Sequence, residues 1–275
     1  PTGQYNYLGN LGSPRMSRIF FDRGEESQFI FTDPLDFSIL TPDEVTFMNT
    51  YSPYTNLTYH KSFNNRNSEE RFKSYYAVNA NSKLGFGFFV DYIYGRGMYN
   101  NQSTAMFNTG LFSSYLGDKY NMHFIFSYDN QKLRENGGIT DDRYITDPLS
   151  MAEGKKQYSS TDIPTMLNKV WNHNTSIHTF LTHRYNLGFY KEKKDSIETD
   201  SLNIVQEFVP VTSFIHTLEF DKNKRKYISQ DHAQNQQLFE HNYFGNDSTD
   251  IAKRNSLRNT FGISLREGFN KWAKA

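Results

Sequence analysis

The chain has 275 residues, no cysteine and a formal net charge of zero, with 30 basic and 30 acidic residues. This balance gives no global positive field to attract nucleic acid, and the lack of cysteine excludes a disulfide framework and a thiolate metal site. Mean hydropathy is low, at −0.74, yet the chain contains 24 phenylalanines and 19 tyrosines, and disordered chains are poor in aromatic residues. A composition that is polar and aromatic at once is typical of a membrane β-barrel, whose strands meet lipid on one face and water on the other.

The first 53 residues lack the regular alternation of the rest of the chain. Residues 18–21 and 28–31 predict a short hairpin, and Pro42 begins a stretch typical of the first turn of a helix. We interpret residues 1–53 as a plug or a periplasmic lead-in, and residues 54–275 as the strands of an antiparallel transmembrane β-barrel.

From Tyr54 onward the dominant period of the sequence is two. The clearest segments are 84–94 and 120–129, where one face is apolar and has aromatic residues at its ends, as a bilayer interface favours. Each is close to the roughly 9–11 residues that a tilted membrane strand needs. Six further segments extend the series to about eight strands: 54–61, 71–79, 104–116, 176–190, 211 onward and 257–266.

The connections between these segments alternate in length. Three connections share one sequence pattern, a short polar turn that ends in lysine and is followed by a large apolar residue. They are Asn81-Ser82-Lys83, Gly117-Asp118-Lys119 and Phe269-Asn270-Lys271. The connections at the other end are long, over residues 95–103, 130–172 and 230–255. Outer-membrane barrels have short periplasmic turns and long outer loops, so we expect these lysines at the periplasmic interface. The same parity makes residues 191–203 a longer periplasmic connection and residues 222–226 a strand extended above the membrane.

Charged residues lie on the faces opposite the aromatic stripes. Placing such a residue in hydrocarbon costs about 2–4 kcal/mol near the bilayer midplane, so these residues are expected to face a watery lumen or a polar plug. Their mixed signs predict a weakly selective aqueous passage, although side chains that merely fill a closed barrel interior give the same pattern. The candidate lumen-facing residues are Asp91, His123, Asp129, Arg184, Glu219, Arg258 and Arg266.

No catalytic motif is present in the sequence, and we expect neither enzymatic activity nor a cofactor nor a metal site. His178 and His183 are five residues apart and fall on opposite faces of a strand, which does not favour a chelating pair. Asp247 and Asp250, with Asn246, are typical of a solvated acidic loop more than of a Ca²⁺ loop. The basic run 222–226 is either a solvated face or a contact with lipopolysaccharide phosphates.

Six stretches of the chain form a recognisable set: Tyr7-Leu8-Gly9-Asn10-Leu11-Gly12-Ser13-Pro14, Ser17-Arg18-Ile19-Phe20, Ser52-Pro53-Tyr54-Thr55-Asn56-Leu57-Thr58-Tyr59, Phe214-Ile215-His216-Thr217, Asn223-Lys224-Arg225-Lys226-Tyr227 and Asn259-Thr260-Phe261. These stretches resemble the putative porin family of Bacteroidetes, and the resemblance spans nearly the whole chain. It implies an outer-membrane β-barrel, a location in the bacterial outer membrane and a passive-channel role, and it supplies no binding residue. Members of that family are considerably longer than this chain.

The sequence thus favours a porin-like barrel that allows passive diffusion of small hydrophilic solutes, with outer-membrane lipid and lipopolysaccharide as its surroundings. The alternative is a non-transport barrel subunit of a secretion or adhesion complex, whose long loops contact other outer-membrane subunits. A soluble glycan-binding β-sandwich requires the aromatic faces to be buried between two sheets. We also expect the barrel to be an incomplete portion of a larger one, so that the strand near Tyr54 does not pair with the strand near Leu265.

Overall fold

The computed structural model describes residues 4–24, 27–42, 44–62, 68–152, 159–195, 203–231 and 248–265. Two short strands, β1 (Tyr5–Tyr7) and β2 (Arg15–Ser17), pair with each other. The main element is one antiparallel sheet of eight strands that pair in chain order. These strands are β3 (Tyr54–Lys61), β4 (Glu69–Asn79), β5 (Leu84–Gly95), β6 (Thr104–Leu116), β7 (Tyr120–Arg134), β8 (Val170–Asp195), β9 (Asn203–Ser229) and β10 (Thr249–Leu265).

The alternating pattern locates all eight strands, but the strands after β6 are longer than the pattern predicts. Strands β8 and β9 have 26 and 27 residues, whereas a membrane strand needs about 9–11. Residues 191–195 are therefore strand and not connection, and so are residues 130–134, 170–172 and 249–255. Polar residues occur on both faces of these extensions, so no continuous apolar face marks the strand, and pairing with the neighbouring strand determines its length.

Two of the predicted short turns are present at the same end of the sheet. In the β4–β5 turn, Asn81 Oδ1 accepts hydrogen bonds from the backbone N–H groups of Lys83 and Leu84 at 2.8 and 2.9 Å, which explains an asparagine at this position. In the β6–β7 turn, the N–H of Gly117 donates to the carbonyl of Tyr120 at 2.9 Å. The third predicted turn, around Asn270, lies outside the described residues.

The N-terminal segment differs from its predicted structure. Residues 18–21 and 28–31 do not form a hairpin, since Phe20–Asp22 is a 3₁₀ turn and strand pairing occurs earlier, between β1 and β2. The predicted helical start near Pro42 is only a turn, in which Glu44 N–H donates to the carbonyl of Thr41 at 3.0 Å. A longer 3₁₀ helix forms at Asp33–Ser38, with Pro34 in its first turn, where the missing N–H of proline is not needed.

Side chains of the N-terminal segment pack against one face of the sheet in two apolar clusters. One cluster joins Val45 to residues of β4, β5, β6 and β7: Ala77, Phe89, Phe112 and Ile125. The second joins Leu35 to Ile93, Met106 and Leu133. Hydrophobic burial therefore fastens residues 35–48 to the sheet, while the choice between a plug and a periplasmic lead-in stays a prediction.

The eight-stranded sheet is open. Its order runs from β10 at one edge to β3 at the other, with no ladder between these two strands. The expectation that the strand near Tyr54 does not pair with the strand near Leu265 is therefore confirmed. The described strands also do not form the two packed sheets that a soluble β-sandwich requires. Among the described helices, none has the length and apolar character needed to cross a membrane.

Candidate functional site on the inner face of the sheet

Strand register defines two faces of the sheet, because directly paired residues of neighbouring strands lie on the same face. Asp91 pairs with Asn108, Asn108 with Asp129, and Asp129 with Ser176. The face that carries this row also contacts the N-terminal segment, and we call it the inner face. The opposite face is the outer face.

Six of the seven candidate lumen-facing residues share the inner face, and the seventh, Arg266, lies outside the described residues. The six are spread over five strands and do not form a single binding site. They are Asp91, His123, Asp129, Arg184, Glu219 and Arg258. That this face lines a water-filled lumen stays a prediction.

A cleft of about 510 Å³ lies between residues 37–48 and the inner face of β3 to β6. At its wall, Arg71 donates two hydrogen bonds to Asp91 at 3.0 and 2.7 Å, and Lys73 Nζ lies 3.4 Å from the same carboxylate. Two cations thus face one anion in the cleft. The sequence pattern missed Arg71 and Lys73 because the alternation in residues 71–79 is weak, and the register with β5 is what places them beside Asp91.

Two acidic residues flank His178 farther along the inner face. His178 Nδ1 is 2.8 Å from Asp221 Oδ1, whereas His178 Nε2 is 3.8 Å from Asp129 Oδ2, which is too long for a hydrogen bond. Asp129 is only 2% exposed, and neither of its oxygens receives a hydrogen bond from a described residue. Buried carboxylates are normally paired or hydrogen-bonded, so Asp129 is unusual.

Three buried amides of the inner face fasten the N-terminal segment to the sheet. Asn108 Nδ2 donates to the carbonyl of Ser38 and Gln131 Nε2 donates to Ser38 Oγ, both at 2.8 Å. Asn174 Nδ2 donates to the carbonyl of Phe31 at 3.1 Å. These bonds span 70, 93 and 143 residues of sequence, so a local pattern could not reveal them.

The outer face is apolar over much of the sheet. It carries Phe86, Phe88, Phe124, Phe126, Leu187 and Ile263, and large apolar side chains are widely exposed there, among them Phe261 at 77% and Ile263 at 68%. Exposed apolar surface on this scale is typical of an interaction with lipid or protein. That it faces lipid stays a prediction.

The outer face also carries histidines and lysines. His183 lies on it and is hydrogen-bonded to His216 at 2.9 Å, so His178 and His183 do lie on opposite faces. Four lysines of β9 and β10 follow the apolar residues of this face: Lys222, Lys224, Lys226 and Lys253. The alternate residues of β9, such as Arg225, fall on the inner face.

The described residues contain no group of three or more histidine, cysteine or acidic residues arranged to hold a metal ion. Of the three loop residues considered for Ca²⁺, Asp250 lies 3.6 Å from an Arg225 nitrogen, and Asn246 and Asp247 lie outside the described residues.

The fold is all-β, with one open antiparallel eight-stranded sheet. Its outer face is largely apolar, and its inner face carries charged residues beside the two apolar clusters under the N-terminal segment. The family described as "Putative porin" matches residues 1–275, the whole chain, and the chain belongs to this family. Comparison with curated proteins and with solved structures gives no match.

Proposed function

We propose that this protein forms a porin-like β-barrel in the bacterial outer membrane and lets small hydrophilic solutes diffuse through it, without enzymatic activity or a cofactor. The observation that carries the proposal is the division of charge between the two faces of the sheet. Asp91, Asp129, Arg184, Glu219 and Arg258 share the inner face, whereas the outer face between the strand ends is largely apolar. Lipid on one side and water on the other stabilise this arrangement.

The open edges of the sheet, at β3 and β10, need partner strands before a barrel can close. An unpaired strand edge in lipid leaves backbone N–H and C=O groups unsatisfied, at a cost of several kcal/mol each. We therefore propose that further strands pair with β3 and β10, supplied by additional sequence or by a partner chain. This keeps the inner face enclosed and its charges hydrated.

Measuring ion selectivity tests directly whether ions pass along the inner face of the sheet. The purified protein is inserted into planar bilayers under a KCl gradient, and the reversal potential is compared among variants. Arg184→Glu changes an exposed charge on the inner face, so it is expected to shift selectivity toward cations. Lys253→Glu makes the same change of charge on the outer face, where it is expected to leave selectivity unaltered. Absence of conductance contradicts the proposal, and equal shifts in both variants contradict the assignment of faces.

The outer-face lysines are proposed to contact lipopolysaccharide. Lys222, Lys224 and Lys226 continue the row of Leu218 and Phe220 along β9, which places their ammonium groups at the border of the apolar surface. None of the three has an ion pair with a carboxylate in the described part of the chain. Free ammonium groups at this border are suited to the phosphates of a lipid headgroup.

Replacing these three lysines together by glutamine is expected to weaken binding of the folded protein to lipopolysaccharide-containing vesicles. Arg254→Gln is the matched control, because Arg254 lies on the inner face of β10 opposite Asn223. Vesicle flotation at low and high salt measures the difference, which salt should reduce. Binding that is unchanged in the triple variant contradicts the lipopolysaccharide contact.

A non-transport subunit is the second candidate. The connection between β7 and β8 carries two short helices, α1 (Arg143–Thr146) and α2 (Pro148–Met151). Ile145 is 59% exposed and Leu149 is 86% exposed, which favours a contact with another protein. A folded protein without conductance would support this alternative.

A further inference from the structure

We propose that the inner face holds a Ca²⁺ site beneath residues 31–38, formed by Asn108, Asp129, Gln131 and Asn174. Nothing in the sequence pattern indicates this site, since it combines one carboxylate with three amides on three strands. The proposal goes beyond solute diffusion and does not depend on it.

Strand register brings the four side chains together. Asn108 of β6 is directly opposite Asp129 of β7, and Gln131 of β7 is directly opposite Asn174 of β8. The Cβ atoms of directly opposed residues are about 4.5–5.5 Å apart, and Asp129 and Gln131 are next neighbours on one face of the same strand. Asp129 and Gln131 therefore lie at the centre of the patch on β7, with Asn108 and Asn174 on the neighbouring strands to either side.

The orientation of each amide is set by its partner in the N-terminal segment. The carbonyls of Ser38 and Phe31 can only accept, so Asn108 and Asn174 must present nitrogen to them. Ser38 Oγ donates to the carbonyl of Leu35 at 2.8 Å, so Gln131 must also present nitrogen to Ser38. The three amide oxygens are left for another partner.

Five buried oxygens consequently share a patch without a donor. They are Asn108 Oδ1, both carboxylate oxygens of Asp129, Gln131 Oε1 and Asn174 Oδ1, and none receives a hydrogen bond from a described residue. The four residues are 5%, 2%, 3% and 3% exposed in sequence order. Burying five acceptor oxygens without hydrogen bonds costs free energy, and the cost is higher because two of them belong to a carboxylate. A bound cation removes this cost by coordinating the oxygens.

The chemistry of the patch favours Ca²⁺ among cations. Ca²⁺ binds 6–8 carboxylate, amide or backbone oxygens in flexible geometry, whereas Mg²⁺ demands a near-ideal octahedron and keeps several waters.

Two positively charged or ionisable side chains lie near the patch. Arg225 is opposite Asn174, but it is 3.6 Å from the Asp250 carboxylate and 4.5 Å from the centre of the Phe31 ring. His178 is hydrogen-bonded to Asp221 through Nδ1, and its Nε2 lies 3.8 Å from Asp129 Oδ2, so Asp129 keeps both oxygens for the cation.

Calorimetry of CaCl₂ with the folded full chain in detergent micelles tests the site. The wild-type protein is expected to bind one Ca²⁺ per chain in a saturable manner. Asp129→Asn removes the charged ligand and is expected to weaken binding by at least about tenfold, as loss of even outer-shell groups weakens metal sites. Asp91→Asn is the matched control, since Asp91 is paired with Arg71 on the other side of Asn108.

A second measurement covers the case in which a variant folds poorly. The urea midpoint is expected to rise with CaCl₂ for the wild type and for Asp91→Asn, and to stay constant for Asp129→Asn. Absence of saturable Ca²⁺ binding in the wild type overturns the proposed site. The five oxygens would then be satisfied by water or, at Asp129, by a proton. Equal binding by Asp129→Asn overturns it as well. Neither measurement involves conductance, so failure of the site and failure of the pore are distinguishable.

Discussion

Two glycines of the inner face are each covered by a phenylalanine ring from the neighbouring strand. Gly87 pairs with Phe112, and Gly110 pairs with Phe89, between β5 and β6. A Cβ atom at Gly110 would lie 2.5 Å from a carbon of the Phe89 ring and 2.5 Å from the carbonyl oxygen of Phe126. The missing side chains therefore leave room for both rings within the cluster that Val45 joins.

Gly110→Ala is expected to lower the free energy of unfolding by about 1–3 kcal/mol, because the added methyl group overpacks the ring of Phe89. Gly262→Ala is the matched control on the same face, since its Cβ would have Ile215 Cβ as nearest neighbour at 3.8 Å. Urea titrations of folding in lipid vesicles measure both. Equal effects of the two substitutions would show that ring coverage does not explain these glycines.

Alternation in the sequence assigns side chains to faces but does not give their burial. Ser127 and Thr260 both fall on the inner face, yet Ser127 is 1% exposed while Thr260 is exposed. The difference arises because the N-terminal segment covers the middle strands and leaves β10 open. A charge at Thr260 is therefore expected to be tolerated, and one at Ser127 is not.

At the scale of the elements, the sequence predicts strands best where one face is apolar. The bounds of β3 and β6 agree with the prediction. The extensions of β7 to β10 were not predicted, because polar residues occur on both of their faces and no continuous apolar face marks them. The N-terminal contacts were not predictable either, since Asn108, Gln131 and Asn174 bind backbone or hydroxyl groups far away in sequence. Parity alone puts six of the seven candidates on one face of the sheet, and whether that face lines a lumen stays a prediction.

The two short turns and the long connections lie at opposite ends of the sheet, and labelling tests which end faces outward. Single cysteines at Ser82 and Asp118 are expected to resist an impermeant thiol reagent on intact cells, because short turns are periplasmic in outer-membrane barrels. A cysteine at Leu149, which is 86% exposed in the β7–β8 connection, is expected to react. All three are expected to react after the outer membrane is permeabilised. Reaction of Asp118→Cys on intact cells would reverse the topology.

At the scale of the whole molecule, β8 and β9 differ from the other strands in length. Their 26 and 27 residues exceed the apolar band of a barrel, which is about 25 Å tall, at roughly 3.3 Å per residue. In the proposed barrel the hairpin therefore extends beyond the membrane, with the outer-face lysines of β9 in this extension. Polar residues such as Asn174 and Arg225 continue along the inner face of this hairpin, which favours a proposed passage that continues past the lipid.

The measurement that tests the account most directly is a spin-label scan of β10 from Leu257 to Leu265 in lipid vesicles. Labels at the outer-face positions, such as Phe261 and Ile263, are expected to be most accessible to oxygen, which concentrates in lipid. Labels at inner-face positions, such as Arg258 and Thr260, are expected to be most accessible to a polar nickel chelate. The account predicts two opposed profiles with a period of two residues. Profiles without this period, or with the two faces exchanged, would contradict a sheet that crosses the membrane between lipid and water.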